Sequence, residues 1–224
     1  MGMKYATHIL APECCSVGPY RDKSVFYKGY QELAYLHPDY FTPVRSKVES
    51  LFAAENRFFL LRFASLTAHH DDGVEGINDQ LAKKIIAILE PKGKVWITSE
   101  RELSPDFEKY RIAIPATEIH HALFYADLYI GDSQTMAAEA AVLGTPSVRF
   151  NDFVGKLSYL EELEHKYQLT FGIKTNQKNA LLEKVTALSS QTDLKVIWQE
   201  RREVLLNETV DVTRFWVQYF ETYK

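Results

Sequence analysis

Residues 126–150 read ADLYIGDSQTMAAEAAVLGTPSVRF, and the fold is decided here. The largely apolar run ADLYI (126–130) has the composition of a buried strand, and Gly131 permits a tight turn after it. Asp132 or Ser133 is a good N-cap for a helix. That helix is rich in alanine (Ala137, Ala138, Ala140, Ala141), so it is thin enough to lie close against a sheet. Gly144 closes it, Pro146 prevents its continuation, and SVRF (147–150) is the next strand. The unit is strand, helix, strand, as in a parallel sheet.

The same rhythm extends outward on both sides. RFFLLRFA (57–64) is a near-continuous apolar run. INDQLAKKIIAILE (77–90) carries apolar residues at helical spacing and stops at Pro91 and Gly93. KVWITSE (94–100) and YRIAI (110–114) read as strands, and ATEIHHALFYA (116–126) as a helix. After residue 150, LSYLEELEHKY (157–167) is helical, LTFGI (169–173) is a strand, and residues 178–189 are helical. The tail from Leu194 to Tyr223 is one or two helices, with its only weak point near Asn207-Glu208-Thr209. Strand and helix alternate six times. The expected fold is α/β: a Rossmann-like three-layer domain with a mostly parallel six-stranded sheet and helices on both faces.

Residues 1–50 differ. They hold four of the eight prolines and many tyrosines. THILAP (7–12) and SVFYKGY (24–30) can form short strands, and QELAYL (31–36) a short helix ended by His37-Pro38. This segment reads as an irregular N-terminal extension, with the regular domain over 51–224.

Composition narrows the function. The chain has 224 residues, 46% hydrophobic and 25% charged, with a formal net charge of -4. A negative balance argues against general attraction to nucleic acid or anionic membrane. No apolar run reaches the length of a membrane span, and the N-terminus has no signal-peptide pattern. The two cysteines, Cys14 and Cys15, are adjacent, which suits neither a disulfide scaffold nor a zinc motif. The expected setting is cytoplasmic with reduced thiols, and no cofactor or metal is called for.

In parallel α/β sheets ligands sit outside the carboxyl ends of the strands. The helix opening at Gln134-Thr135-Met136 offers free backbone N–H groups at the positive end of a helix dipole, a place that attracts phosphate. Ser133 and Thr135 add hydroxyls. Glu139 lies one turn on, roughly 6–9 Å along the axis at ~1.5 Å per residue, at the range of a ribose attached to a bound phosphate. A capped helix with a surface Glu is the plain alternative. No G-x-G-x-x-G or G-x-x-x-x-G-K-[ST] pattern occurs, so neither a dinucleotide fingerprint nor a P-loop is supported.

The segment GDSQTMAAEAAVLGTP resembles the nucleotide-binding segment in the C-terminal lobe of GT-B-type sugar-nucleotide proteins. That superfamily includes UDP-N-acetylglucosamine 2-epimerase and the MurG-like glycosyltransferases. The epimerase stretch runs Asp-Ser-Gly-Gly, then Glu-Ala, then Leu-Gly-x-Pro. The resemblance implies diphosphate at Ser133, Gln134 and Thr135 and ribose at Glu139, with Gln134 standing where Gly is usual. YKGYQELAYL, LRFASLTAHHD and GD-x-x-TMAAEAAVLGTP, in that order, resemble a branch of the superfamily linked to polysaccharide synthesis. A complete GT-B protein has two lobes, and the length here suits one. Residues 1–50 would then be a remnant of a first lobe and its linker.

Three further stretches lie at strand ends. In RFASLTAHHDDG (62–73), Arg62 and Ser65 can meet a phosphate or sugar. His69 and His70, beside Asp71 and Asp72, can act as acid/base groups. A metal there is not favoured, because adjacent histidines point apart. Glu100 ends its strand and can touch the sugar, or pair with Arg101. His120 and His121 read as structural. Three functions remain open. One is a nucleotide-sugar lobe of a glycosyltransferase-like protein, with UDP-sugar first among ligands. The second is an epimerase or hydrolase working through His69, His70 and Glu100. The third is a non-catalytic binding or assembly protein, forming a homo-oligomer through apolar surface at Tyr30, Leu33 and Tyr35 of the extension.

Overall fold

The structure is a computed structural model describing residues 2–52, 57–65 and 76–223. Seven strands and eight α-helices are found among the described residues. In the main sheet, β3 (Phe58–Phe63), β4 (Lys94–Ser99), β5 (Leu128–Gly131), β6 (Ser147–Phe150) and β7 (Thr170–Ile173) are all parallel, in the order β4-β3-β5-β6-β7. The helices are α2 (Asp79–Leu89), α3 (Ile119–Tyr125), α4 (Gln134–Val142), α5 (Ser158–His165), α6 (Lys178–Ser189), α7 (Leu194–Glu208) and α8 (Val212–Thr222), preceded by the one-turn α1 (Leu33–Leu36). The α/β, Rossmann-like architecture read from the sequence is the one observed.

The sheet has five strands, not six. Residues 110–114 make a single bridge, Ile97 to Arg111, with the Ile112 amide donating to the Ile97 carbonyl. A 3-10 turn (Pro105–Tyr110) enters this segment and Pro115 leaves it. Ile112 and Ile114 are only half-buried on the sheet edge, so little apolar burial rewards a longer ladder.

Each element follows from local chemistry. Strand β3 is apolar on both faces because helices cover both, and all five of its apolar residues are buried, Arg62 alone being partly exposed. Helix α2 buries Leu81, Ala82, Ile85, Ile86 and Leu89 on one face. Its N-cap is Asn78, whose Oδ1 accepts from the Leu81 amide at 2.9 Å. Helix α4 is buried on nearly every side. Its alanines let β5 and β6 approach on one side and α1, α3, α5 and α7 on the other. Gly144 ends it at φ +72, where a Cβ would meet Gln199 Nε2 at 2.6 Å.

The N-terminal segment forms a two-stranded parallel ribbon of β1 (Ile9–Pro12) and β2 (Ser24–Tyr27), followed by α1. The C-terminal helix returns to it. The Tyr27 ring packs on Phe215 and Trp216 of α8, the Val210 amide donates to the Lys28 carbonyl at 2.8 Å, and Thr213 Oγ1 donates to the Ala34 carbonyl. Tyr30 and Leu33, expected as exposed pairing surface, are buried in the chain's own core. Tyr30 Oη donates to Glu162 at 2.6 Å. The return of α8 hides them, a long-range contact that local pattern does not reveal. Among the described residues, no helix is long and apolar enough to cross a membrane.

Candidate functional site

The chain runs outward from β3 to β4, then crosses back to place β5 on the other side of β3. That reversal is the topological switch point, where open α/β sheets hold ligands. The carboxyl ends of β3 and β5 meet there. Gly131 faces Arg62 so closely that a Cβ would lie 2.8 Å from the Arg62 Cβ.

Asp132 straps the two ends together. Its Oδ1 accepts from the Ala64 amide at 2.6 Å and its Oδ2 from the Ile77 amide at 3.1 Å, while Asn151 Nδ2 donates to its backbone carbonyl. The side chain is 1% exposed. Burial raises its carboxyl pKa, opposed by the Ala64 and Ile77 amides. Ser133, not Asp132, is the N-cap of α4: its Oγ accepts from the Met136 amide at 3.4 Å. The amides of Gln134 and Thr135 precede the first intrahelical acceptor. Both polar atoms of the Gln134 side chain are buried with no partner.

Glu139 sits one turn further along α4, 9% exposed. Its Oε1 accepts from Tyr35 Oη of α1 at 2.9 Å and lies 3.1 Å from His120 Nε2 of α3. Three elements therefore hold one carboxylate. Tyr35 and His120 also pack ring against ring, with centroids 5.6 Å apart. Glu32, just before α1, adds a second carboxylate. It is 6% exposed, and burial beside Glu139 pushes its pKa up to about 7.

A cavity of about 550 Å³ opens next to Thr135, lined by Glu32, Tyr35, Tyr159 and Trp216 among others. It lies between the N-terminal segment, the start of α4 and α8. Cys15 also lines it, and the hydrogen bond from Cys14 brings the Cys15 thiol down to about 7.

The other candidates gather at β3 and β4. Arg62 Nη1 donates to Thr98 Oγ1 at 2.9 Å, and Nη2 is in contact with Glu100 Oε1. Glu100 Oε2 accepts from the Ser65 amide at 3.1 Å. Thus Arg62, Ser65 and Glu100 form one cluster, and Ser133, Gln134, Thr135 and Glu139 line one helix. Glu100 pairs with Arg62 rather than with Arg101, whose guanidinium donates to the Ile77 carbonyl. In a parallel pair, neighbours across the ladder meet more readily than neighbours along the strand, whose side chains alternate faces. His69 and His70, with Asp71 and Asp72, lie outside the described residues. His121 is structural: its Nδ1 accepts from the Val44 amide, and burial lowers its pKa.

Sequence reasoning missed Glu32, Tyr35 and His120 as partners of the Glu139 region, and Arg149. Arg149 is fully buried and pairs with Glu161 at 2.7 Å and Glu164 at 2.9 Å. A charged residue inside the apolar strand SVRF was the available signal, since buried arginine is rare without partners.

No family model matches the chain. No curated protein matches it in sequence. Among solved structures it is similar to the glycotransferase of kitacinnamycin, at 11% identity and TM-score 0.49, over 86% of this chain and 47% of that one. It is similar to the wall teichoic acid polymerase TagF, at 10% identity and TM-score 0.48, over 92% and 54%. It is also similar to a putative UDP-N-acetylglucosamine 2-epimerase from Listeria monocytogenes, at 16% identity and TM-score 0.49, over 77% and 47%. The chain spans about half the length of these structures. At these identities the likeness concerns the fold alone.

Proposed function

We propose that this chain is the nucleotide-sugar-binding lobe of a glycosyltransferase-like protein of polysaccharide synthesis, with a UDP-sugar as its ligand. The diphosphate lies on the amides of Gln134 and Thr135 with the Ser133 and Thr135 hydroxyls, and the ribose on Glu139. One observation carries the reading: the Ser133-capped start of α4 stands at the switch point, one turn from a carboxylate held in place. Tyr35 and His120 share Glu139 Oε1, which leaves Oε2 to accept from ribose hydroxyls. The unpartnered Gln134 amide supplies both a donor and an acceptor beside the phosphates. Arg62, level with Gly131 across the β3–β5 ladder, and Ser65 just beyond β3 are the next groups we assign to the ligand.

Thermal unfolding with added ligand tests this. UDP and inorganic diphosphate should each raise the midpoint in proportion to ligand excess, by mass action on the folded state. UMP, lacking the second phosphate, should do so less. Equal effects from UMP and UDP would remove the diphosphate from the start of α4.

A further inference from the structure

The thiols of Cys14 and Cys15 have no part in the nucleotide reading. They are the chain's only cysteines, both half-buried, in the turn after β1 where the Cys15 amide donates to the Pro12 carbonyl at 2.9 Å. Their sulfurs lie 4.0 Å apart, within reach of a hydrogen bond. They face different surroundings. Cys15 lines the cavity of about 550 Å³ beside Thr135, which has room for a small oxidant. Cys14 lines a separate pocket of about 150 Å³, with Glu13, Glu162 and Lys166.

These surroundings divide the roles. Helix α5 starts next to Cys15. Its N-cap, Leu157, gives no side-chain cap, and the Leu157 carbonyl accepts from the Leu160 and Glu161 amides. The Ser158 and Tyr159 amides therefore precede the helical ladder. A sulfur at the first turn of a helix, with a thiol donating to it, has the setting of a nucleophilic cysteine. The Cys14 S–H and the Tyr159 amide favour the Cys15 thiolate, against burial and the Glu162 and Glu32 carboxylates, and bring it to about 7. The phenols of Tyr27 and Tyr159 also face that sulfur and feel its charge. Cys14 is pushed the other way: its bond to Cys15, then burial and Glu162, keep it protonated.

Neighbouring Cα atoms are about 3.8 Å apart, below the roughly 4.4–6.8 Å of ordinary disulfides. A bond between adjacent cysteines is therefore strained and easily reduced, which suits a reversible modification and not a scaffold. We propose that Cys14 and Cys15 form a peroxide-responsive pair, in which Cys15 attacks a hydroperoxide entering the cavity and Cys14 resolves the product to a disulfide. In the first step the Cys15 sulfur bonds to one peroxide oxygen and the O–O bond breaks. The other oxygen takes a proton and leaves as water or an alcohol, and Cys15 becomes a sulfenic acid. In the second step the Cys14 sulfur attacks the Cys15 sulfur and the S–O bond breaks. Hydroxide leaves as water with the Cys14 proton. The two thiols lose two electrons, and the peroxide gains them. None of these steps requires a nucleotide on α4.

The folded wild type, Cys14→Ser and Cys15→Ser are treated with hydrogen peroxide, with and without dimedone, and followed by intact mass. Alanine variants replace the serine ones should either fail to fold. The wild type should lose two hydrogens as a monomer, recover them with dithiothreitol, and react faster as pH rises through about 7. Cys14→Ser should stop at the sulfenic acid. Dimedone traps that acid and so separates it from methionine oxidation, which also adds oxygen. Cys15→Ser should form its sulfenic acid at least about tenfold more slowly, because Cys14 is held protonated. Equal rates in the two variants, no thiol oxidation before the methionines are oxidised, or disulfides formed only between chains would overturn the assignment.

Discussion

The phenol of Tyr35 lies 2.9 Å from Glu139 Oε1, joining the N-terminal segment to the helix that opens the crevice. The carboxylate keeps the phenol protonated, because burial and Glu139 both raise the Tyr35 pKa. The N-terminal segment therefore takes part in shaping the site. Tyr35→Phe should cost about 1 kcal/mol of stability, the net worth of one such bond. It should also weaken UDP binding by freeing Glu139 to turn. A denaturant melt and a UDP titration of the variant check both effects, and an unchanged UDP affinity would separate Tyr35 from the site.

Asp132 holds two loop amides with its two oxygens. Asp132→Asn keeps one acceptor and turns the other into a donor facing an N–H. The expected loss is about 1–3 kcal/mol, the penalty for a buried group left unpaired. Hydrogen exchange at Ala64 and Ile77 should speed up ahead of the rest of β3.

Arg149 is buried between Glu161 and Glu164 of α5, and Gly172 Cα passes over its guanidinium. Removing one member of a buried charge network strands the others. Arg149→Ala should cost about 3–5 kcal/mol, while Arg149→Met, which fills the space, leaves the glutamates able to turn toward solvent and should cost less. Equal losses in urea melts would show that charge, not volume, sets the cost.

Glu32 makes stability depend on pH. Its carboxyl titrates near 4.5 when unfolded and at about 7 in the fold, raised by burial and by Glu139. The folded state thus holds the proton more tightly, so its contribution is full below pH 4.5 and is lost as pH rises through 7. The loss is on the order of 3 kcal/mol, at about 1.4 kcal/mol per pH unit. Glu32→Gln should flatten the stability profile between these limits, and a variant with the same slope as wild type would exclude Glu32 as its source.

Much of this was legible in the chain itself. Gly131, Ser133, Gly144 and Pro146 act within a few residues of themselves, so the α4 unit and its cap follow from local chemistry. Residues 178–189 were likewise readable as a helix from apolar spacing. The Glu139 cluster was not, because Tyr35, His120 and Glu32 come from segments brought together only by packing. The strand expected over 110–114 shows the opposite limit: alternation was present, but its edge position left nothing to cover it. The pairing of Arg62 with Glu100 follows from strand register, which sequence spacing does not encode.

The central claim is that α4 presents a nucleotide diphosphate and Glu139 its ribose. Calorimetric titration of UDP, UDP-N-acetylglucosamine and dTDP into the wild type and Glu139→Ala tests it most directly. UDP should bind the wild type, and its binding should weaken by roughly 1–3 kcal/mol in the variant, the cost of hydrogen bonds to a buried carboxylate going unmade. A nucleotide that binds both proteins equally would contradict the ribose assignment, and failure of all three to bind the wild type would contradict the claim as a whole.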